Sequence, residues 1–358
     1  MQLTPIFDTG SRSLFIAGPC SAESEEQVLT TAQQLSRTKY VHLFRCGIWK
    51  PRSSPNTFEG IGATALPWLQ KVQDIYHLPC CIEIATPQHL ELALKAGISY
   101  FWIGARTSVN PFDVQEIAQA AKGTDIAIMI KNPIAMDTNL WYGNFERFYK
   151  VGIQKMAAVY RGGYSEKIQI YRNDPLWLHL IEFKQKHKDI PIIFDPSHIA
   201  GQAALIPQLV QKALYLNVDG LMVETHCNPK HALSDKHQQL SVDDYIAMLN
   251  NVIFPQQQDI NNNALTQYRM AIDEIDNELI ALIGKRIDIV KQIALYKKEK
   301  HLPILQIDRW QKVLDDSLQK ALQLNIDPRL IENIFQCIHE SAIETQQNIV
   351  ILNKEQHS

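Results

Sequence analysis

Through the first 225 residues, short apolar runs rich in β-formers alternate with stretches in which apolar positions recur every three or four residues. The runs are Leu14 to Ala17, Val41 to Phe44, Cys81 to Ala85, Phe101 to Ile103, Ile126 to Ile130, Met156 to Val159, Ile192 to Phe194 and Leu221 to Val223. Between them, Glu25 to Leu35, Pro87 to Ala96, Val114 to Ala121 and Ala203 to Leu214 have helical periodicity. Strand and helix alternating eight times predicts an α/β protein closed as a (β/α)8 TIM barrel, since a doubly wound sheet more often has about five or six strands. Near residue 255 the pattern breaks at PQQQDINNNALT, which is polar and Asn/Gln-rich like a linker. The expected division is a barrel over 1–253, a linker over 254–263 and a separate all-α three-helix domain over 264–358. Its helices are expected over Ala264 to Lys300, Pro303 to Leu324 and Pro328 to Asn353, with both prolines in first turns and Asp327 as an N-cap.

Composition agrees with two domains that each have a core: 358 residues, 46% hydrophobic and 20% charged. The formal charge of −3 mixes 35 basic with 38 acidic residues without a long run of either sign, so neither nucleic acid nor a membrane surface is an expected partner. The first residues do not pair a basic region with an apolar one, and apolar runs of about 18 residues are absent, so a cytoplasmic location is expected. Six cysteines, Cys20, Cys46, Cys80, Cys81, Cys227 and Cys337, lack paired spacing and read as free thiols.

Catalytic groups of a (β/α)8 barrel sit at the C-terminal ends of the strands and in the loops beyond. Those positions carry GPCSAES after the first strand, RCGIWKPRSSPNTFEG after the second, GARTSVN after the fourth and IKNP after the fifth. YRGG follows the sixth, DPSHIAG the seventh and ETH the eighth, with Asp235 further on. Two chemistries converge there. Cys20, His198, Glu224 and Asp235 form a sulfur, nitrogen and oxygen set suited to a borderline divalent ion such as Mn, Fe, Co or Zn. Any one of them alone would equally suit a buried thiol or a capping residue. Arg45, Lys50, Arg52, Arg106, Lys131 and Arg161 lie beside strand ends, and such cations in a chain of net negative charge imply anionic substrates.

In their order along the chain, GPCSAES, KPRSSP, GARTSVN, IKNP, RGG, DPSH and ETH closely resemble the type I 3-deoxy-D-arabino-heptulosonate 7-phosphate synthases over residues 13 to 245, the shorter beta subgroup being nearest. The resemblance implies condensation of phosphoenolpyruvate with erythrose 4-phosphate, and implies that Cys20, His198, Glu224 and Asp235 bind a metal. It matches Arg45, Lys50, Arg106, Lys131 and Arg161 to phosphoenolpyruvate and Arg52 and Ser53 to the phosphate of erythrose 4-phosphate. Lys50 is its candidate proton donor to the aldehyde oxygen, while Asp195 shapes the site. A 3-deoxy-manno-octulosonate 8-phosphate synthase is the close alternative; such enzymes carry a KANRS-like motif where this chain has KPRSSP.

In the tail, Leu265, Tyr268, Ile272, Ile275, Leu279, Leu282, Arg286, Ile289 and Ile293 make a heptad-like seam that Arg286 interrupts. Lys297, eleven residues after Arg286, lies about 20° away around an ideal helix, so a small dianion fits between them. The tail looks like the all-helical chorismate mutases over about residues 264 to 353, with Arg269, Arg286, Lys297, Arg309 and Gln346 at substrate-binding positions. That likeness implies rearrangement of chorismate to prephenate, with Lys297 and Gln346 donating to the ether oxygen. Gln306 stands where that family usually has Asp, and Trp310 where it usually has Glu. The fusion leads us to expect a homodimer through the helices and feedback on the synthase; a non-catalytic dimerisation or regulatory tail is the alternative.

Overall fold

The eight apolar runs become strands because both their faces are covered. Ile16, Leu43, Cys81, Trp102, Met129, Val159, Ile193 and Met222 share one buried cluster, whereas their sequence neighbours Ala17, Phe44, Ile82, Ile103, Ile128, Ala158, Phe194 and Leu221 belong to another. With a side-chain period of two, the first set fills the barrel interior and the second meets the surrounding helices.

The computed structural model describes residues 1–8, 13–50, 57–165, 170–255 and 263–351, which fall into two compact units, Met1–Gln256 and Gln257–Ser358. The first unit opens with β1 (Leu14–Gly18), α1 (Glu25–Leu35), β2 (Leu43–Arg45), α2 (Leu66–Tyr76), β3 (Cys80–Ile84) and α3 (Pro87–Lys95). It continues with β4 (Tyr100–Ile103), α4 (Pro111–Ala120), β5 (Ala127–Lys131), α5 (Thr138–Lys150), β6 (Lys155–Tyr160) and α6 (Trp177–Lys186). Then come β7 (Ile192–Phe194), α7 (Pro196–Ala200), α8 (Ile206–Tyr215), β8 (Gly220–His226), β9 (Leu240–Ser241) and α9 (Val242–Asn251). Strands β1 to β8 pair in sequence order and in parallel, and β8 returns to β1 with Met222 opposite Ile16 and Glu224 opposite Gly18, so the barrel closes. Strand β9, which pairs with β8, has no counterpart in the sequence pattern, because two residues carry no readable period.

Helix starts follow local capping chemistry. Ser24, Thr86, Asn110, Asp137 and Asp195 each accept a hydrogen bond from a first-turn N–H, and Pro87, Pro111 and Pro196 open their helices.

The second unit is α10 (Asn263–Glu299), α11 (Ile307–Gln323) and α12 (Pro328–Ile351), with α12 packed on both others. Pro328 opens α12 beside Asp327, whose carboxylate accepts from the Arg329 N–H. The expected start of the middle helix at Pro303 is corrected to Ile307: His301 has φ +52°, and the chain turns there before the helix begins. At 37 residues α10 is about 56 Å long, and from Thr266 to Lys285 every residue is exposed. From Thr266 on the seam is therefore largely bare within one chain, with Tyr268 71% and Leu282 59% exposed; among the described residues of α10 only Val290, Ala294 and Lys297 are buried. No helix among the described residues is long and apolar enough to cross a membrane.

Candidate functional site

Two residues beyond each inward-facing apolar residue lies the next inward position, and there the chemistry changes. After Ile16, Leu43, Cys81, Trp102, Met129, Val159, Ile193 and Met222 come Gly18, Arg45, Glu83, Gly104, Lys131, Arg161, Asp195 and Glu224. The site is thus the top layer of the barrel interior, and the loops add Cys20, Lys50, Arg106, His198 and Asp235. Gly18 is needed for close approach: it has φ +147°, and a Cβ there would lie 2.2 Å from the Arg45 carbonyl oxygen.

The Cys20 Sγ and one oxygen each of Glu224 and Asp235 lie within 4.8 Å of one another. Burial and the neighbouring Glu224 carboxylate push the Cys20 thiol up to about 12, so without a cation it stays protonated. Burial would raise Glu224 and Asp235 too, yet the Lys50 ammonium, with the Arg45 guanidinium at Glu224 and the Arg172 guanidinium at Asp235, holds both below the usual carboxylate range. His198 is not within that mutual cluster, but its Nε2 lies 3.7 Å from Glu224 Oε1. Its Nδ1 is 2.8 Å from Asp195 Oδ2, and burial lowers the imidazole below its ordinary value, which favours the neutral form. Burial would raise Asp195, but His198 and Lys131 hold it well below the usual range, so it accepts the Nδ1 proton. The His198 Nε2 lone pair then faces the Glu224 carboxylate. A thiol, two carboxylates and an imidazole lone pair so arranged fit a divalent cation of the Mn, Fe, Co or Zn class.

Around this cluster the cations line a cavity of about 180 Å³, formed by Arg45, Lys50, Arg106, Lys131, Arg161 and Arg172 with Glu83, His198 and Asp235. Arg45 Nη2 donates to Glu224 Oε1 at 3.1 Å and Lys131 Nζ to Asp195 Oδ2 at 2.7 Å, both pairs buried. Both cations also lie over the buried Trp102 ring, at 5.0 and 5.8 Å from its centroid. Lys50 Nζ donates to the Cys20 carbonyl at 2.7 Å and approaches its Sγ at 2.6 Å. Arg45 Nε and Nη1 and Arg161 Nη1 are buried without a hydrogen-bond partner among the described residues. Burial lowers Arg161 to about 10, still cationic at neutral pH. Unpaired guanidinium N–H groups are costly to bury, and an anion in the cavity would satisfy them.

All the sequence-predicted barrel residues except Arg52 and Ser53, which lie outside the described residues, thus meet at this cavity or its floor. The sequence pattern did not single out Arg172, Gln238, Glu83 or Trp102. Glu83 and Trp102 were legible as inward positions of β3 and β4, whereas Arg172 and Gln238 lie in irregular segments with no period.

The tail's candidates are more scattered. Arg286 is half-buried on the wall of a small cavity of about 160 Å³ with Ile283, Val290 and Ser341, which Lys297 and Gln346 do not line. Buried Lys297 donates to the Ile304 carbonyl at 2.6 Å, and buried Gln346 donates to Ala342, its own carbonyl oxygen unpartnered among the described residues. Arg269 and Arg309 are exposed. Trp310 stacks on His339 of α12 with ring centroids 3.9 Å apart.

Residues 5–256 match the DAHP synthetase I family, and residues 268–347 match chorismate mutase type II. The phospho-2-dehydro-3-deoxyheptonate aldolase of Thermotoga maritima is 30% identical over 226 residues, covering 63% of this chain and 64% of that protein, just under two thirds of its length. A 2-dehydro-3-deoxyphosphooctonate aldolase of Caulobacter vibrioides is 24% identical over 264 residues, 68% of this chain and 88% of that one. The crystal structure of the Thermotoga DAHP synthase aligns with a TM-score of 0.61 at 25% identity, over 69% of this chain and 71% of its own. With the whole barrel matched and the top layer of its interior carrying the expected groups, the chain belongs to the DAHP synthetase I family and bears a chorismate mutase type II segment after its barrel.

Proposed function

We propose that the barrel condenses phosphoenolpyruvate with erythrose 4-phosphate to give 3-deoxy-D-arabino-heptulosonate 7-phosphate and phosphate. The observation that carries this reading is the juxtaposition of buried guanidinium N–H groups on Arg45 and Arg161, unpartnered among the described residues, with the Cys20, Glu224 and Asp235 cluster. One cavity can then bind an anion beside a cation. Arg45, Arg106, Lys131 and Arg161 would hold the carboxylate and phosphate of phosphoenolpyruvate. Arg52 and Ser53 are proposed for the phosphate of erythrose 4-phosphate. Cys20, His198, Glu224 and Asp235 would hold a divalent metal of the Mn, Fe, Co or Zn class, which supplies Lewis-acid stabilisation of charge on the aldehyde oxygen. Held in line, the methylene carbon of phosphoenolpyruvate bonds to the aldehyde carbon, water adds at the former enol carbon, and its C–O bond to phosphate breaks. Lys50, whose Nζ is 2.6 Å from Cys20 Sγ, would give the aldehyde oxygen its proton.

For the tail we propose the rearrangement of chorismate to prephenate, which needs oriented cations and no nucleophile. Arg269 and Lys297 are 28 residues apart on α10, roughly 42 Å along the helix, so one small molecule cannot touch both within one chain. A homodimer formed along the bare seam would bring Arg269 of a second copy beside Arg286, Lys297, Arg309 and Gln346. Chorismate or prephenate bound there is further proposed to inhibit the synthase.

The test is phosphate release from phosphoenolpyruvate with erythrose 4-phosphate, run beside a five-carbon aldose phosphate, with chorismate loss followed in parallel. A preference for the five-carbon sugar would move the barrel to the octulosonate reading. A chain that makes the heptulosonate but leaves chorismate untouched would have a non-catalytic tail.

A further inference from the structure

The carboxylates of the cluster are braced from outside it. Gln238 is 2% exposed, and its side-chain amide donates to Glu224 Oε2 at 2.7 Å while its oxygen accepts from Arg172 Nη1 at 2.7 Å. The same Arg172 nitrogen donates to Asp235 Oδ1 at 3.1 Å. A single guanidinium–amide pair therefore spans two carboxylates that would otherwise repel each other.

The brace is itself held in place. Asp235 has φ +48°, and the turn it begins is closed by the Gln238 N–H donating to the Asp235 carbonyl at 3.1 Å. Beside Gln238, Gln239 points elsewhere: its oxygen accepts from the Cys20 N–H at 2.9 Å and its amide donates to the Ser234 carbonyl. On the other side, the Arg172 N–H donates to Ala200 O and the Asn173 side chain to His198 O at 2.6 Å, which ties this segment to α7. Gly201 permits the crossing, because a Cβ there would lie 2.5 Å from the Arg172 Cβ.

Each proposed ligand is thus fastened to Arg172–Asn173 or to Gln238–Gln239. Resting on the metal-dependent reading above, we infer that Arg172 and Gln238 are positioning residues that preset the separation and orientation of the Glu224 and Asp235 carboxylates for a divalent cation. Neither needs to touch the metal. One oxygen of each carboxylate, Glu224 Oε2 and Asp235 Oδ1, is turned toward the brace; of the other two, Asp235 Oδ2 lies 3.2 Å from Cys20 Sγ, and Glu224 Oε1 accepts from Arg45 Nη2 at 3.1 Å with His198 Nε2 3.7 Å away. Preset ligands lose less freedom when the ion binds, so the brace acts on affinity more than on the chemical step.

The experiment is a cobalt(II) titration of the metal-stripped full chain, in competition with a chromophoric chelator, on wild type, Gln238→Ala, Gln238→Glu, Arg172→Ala and Arg172→Lys. Circular dichroism checks that each variant is folded. Gln238→Ala and Arg172→Ala should weaken cobalt binding by about 10- to 100-fold. Gln238→Glu keeps the volume but turns the donor into a carboxylate facing Glu224, and should weaken binding in the same range. Arg172→Lys should recover most of the loss. At saturating cobalt the sulfur-to-cobalt absorption band should persist in every variant, since Cys20 is intact, and kcat should fall less than metal affinity does. Folded Gln238→Ala and Gln238→Glu chains that bind cobalt within about twofold of wild type would overturn the positioning role while leaving the metal site standing. A wild-type chain that binds no cobalt would overturn both. If the alanine variants do not fold, Gln238→Glu and Arg172→Lys decide: an unweakened Gln238→Glu overturns the inference, and a tenfold or greater loss with near-normal Arg172→Lys supports it.

Discussion

The barrel mouth and the helical tail both set cations against apolar walls, and they differ in where the matching anions come from. In the barrel, Arg45 meets Glu224, Lys131 meets Asp195 and Arg172 meets Asp235, all from one chain. In the tail, Arg269 and Arg309 are exposed, Arg286 is half-buried, and none makes an ion pair with a described residue. A closed barrel has an inside, so strand ends far apart in sequence are forced to share one small volume. Three helices have too little interior for that, and α10 leaves twenty consecutive residues, Thr266 to Lys285, exposed. Burying an exposed Ile or Leu contributes roughly 1.5–3 kcal/mol, so the proposed pairing of the bare seam with a second copy would be strongly favoured. The barrel should therefore work as a complete site in each chain, and the tail only as a shared one.

The sharpest way to break this contrast is at Cys20. Cys20→Ala, or stripping the metal, should lower synthase kcat/KM by about a thousandfold or more, the equivalent of several kcal/mol of charge stabilisation. Phosphate release reads that loss, and chorismate consumption in the same sample should not change. Loss of both activities would mean that the two regions are not separable.

Mixed chains test the shared site. Arg269→Ala and Lys297→Ala should each be inactive toward chorismate, yet equal amounts refolded together should recover about a quarter of wild-type activity. Random pairing gives about half heterodimers, each with one intact pocket of two. No recovery in verified heterodimers, or a fully active monomer, would sink the model of a pocket built from two chains.

A milder perturbation is to remove one guanidinium from the barrel cavity. Arg161→Ala should raise KM for phosphoenolpyruvate by about 10- to 100-fold through loss of a charge-assisted contact worth about 1.5–3 kcal/mol, leaving metal affinity near wild type. A comparable fall in metal affinity would show that the anion and metal halves of the cavity are not distinct.

Acidity should sharpen the same picture. The free Cys20 thiol titrates near 12 and must lose its proton to bind a metal, so one proton is released on binding and affinity should rise about tenfold per pH unit across the neutral range. Calorimetry in buffers of different ionisation enthalpy counts that proton. A pH-independent affinity would argue against thiolate ligation.

The smallest expected effect is in the tail. Gln306 occupies the N-cap of α11 without making a side-chain cap bond. Gln306→Asp should stabilise the first turn of α11 by about 0.5–1 kcal/mol, read as slower hydrogen exchange there. Unchanged protection would mean that another group already serves that turn.

How much of this was legible in advance follows from the range of each signal. Eight apolar runs, a polar cap such as Asp327, and the composition break near residue 255 are local, so the chain alone determined a barrel followed by helices. The period of two also carried Arg45, Lys131, Arg161 and Glu224 to the mouth, each two residues past an apolar inward position. Tertiary structure decided what those residues meet. Cys20 and Asp235, 215 positions apart, come within 3.2 Å because closure of β8 on β1 adds up the register of the whole sheet, which no short window contains. Arg172 and Gln238 escaped notice because irregular segments have no period to extrapolate. In the tail the heptad seam announced an apolar face, but an apolar pattern does not say what covers it; only the fold reveals that the chain's own helices leave it bare.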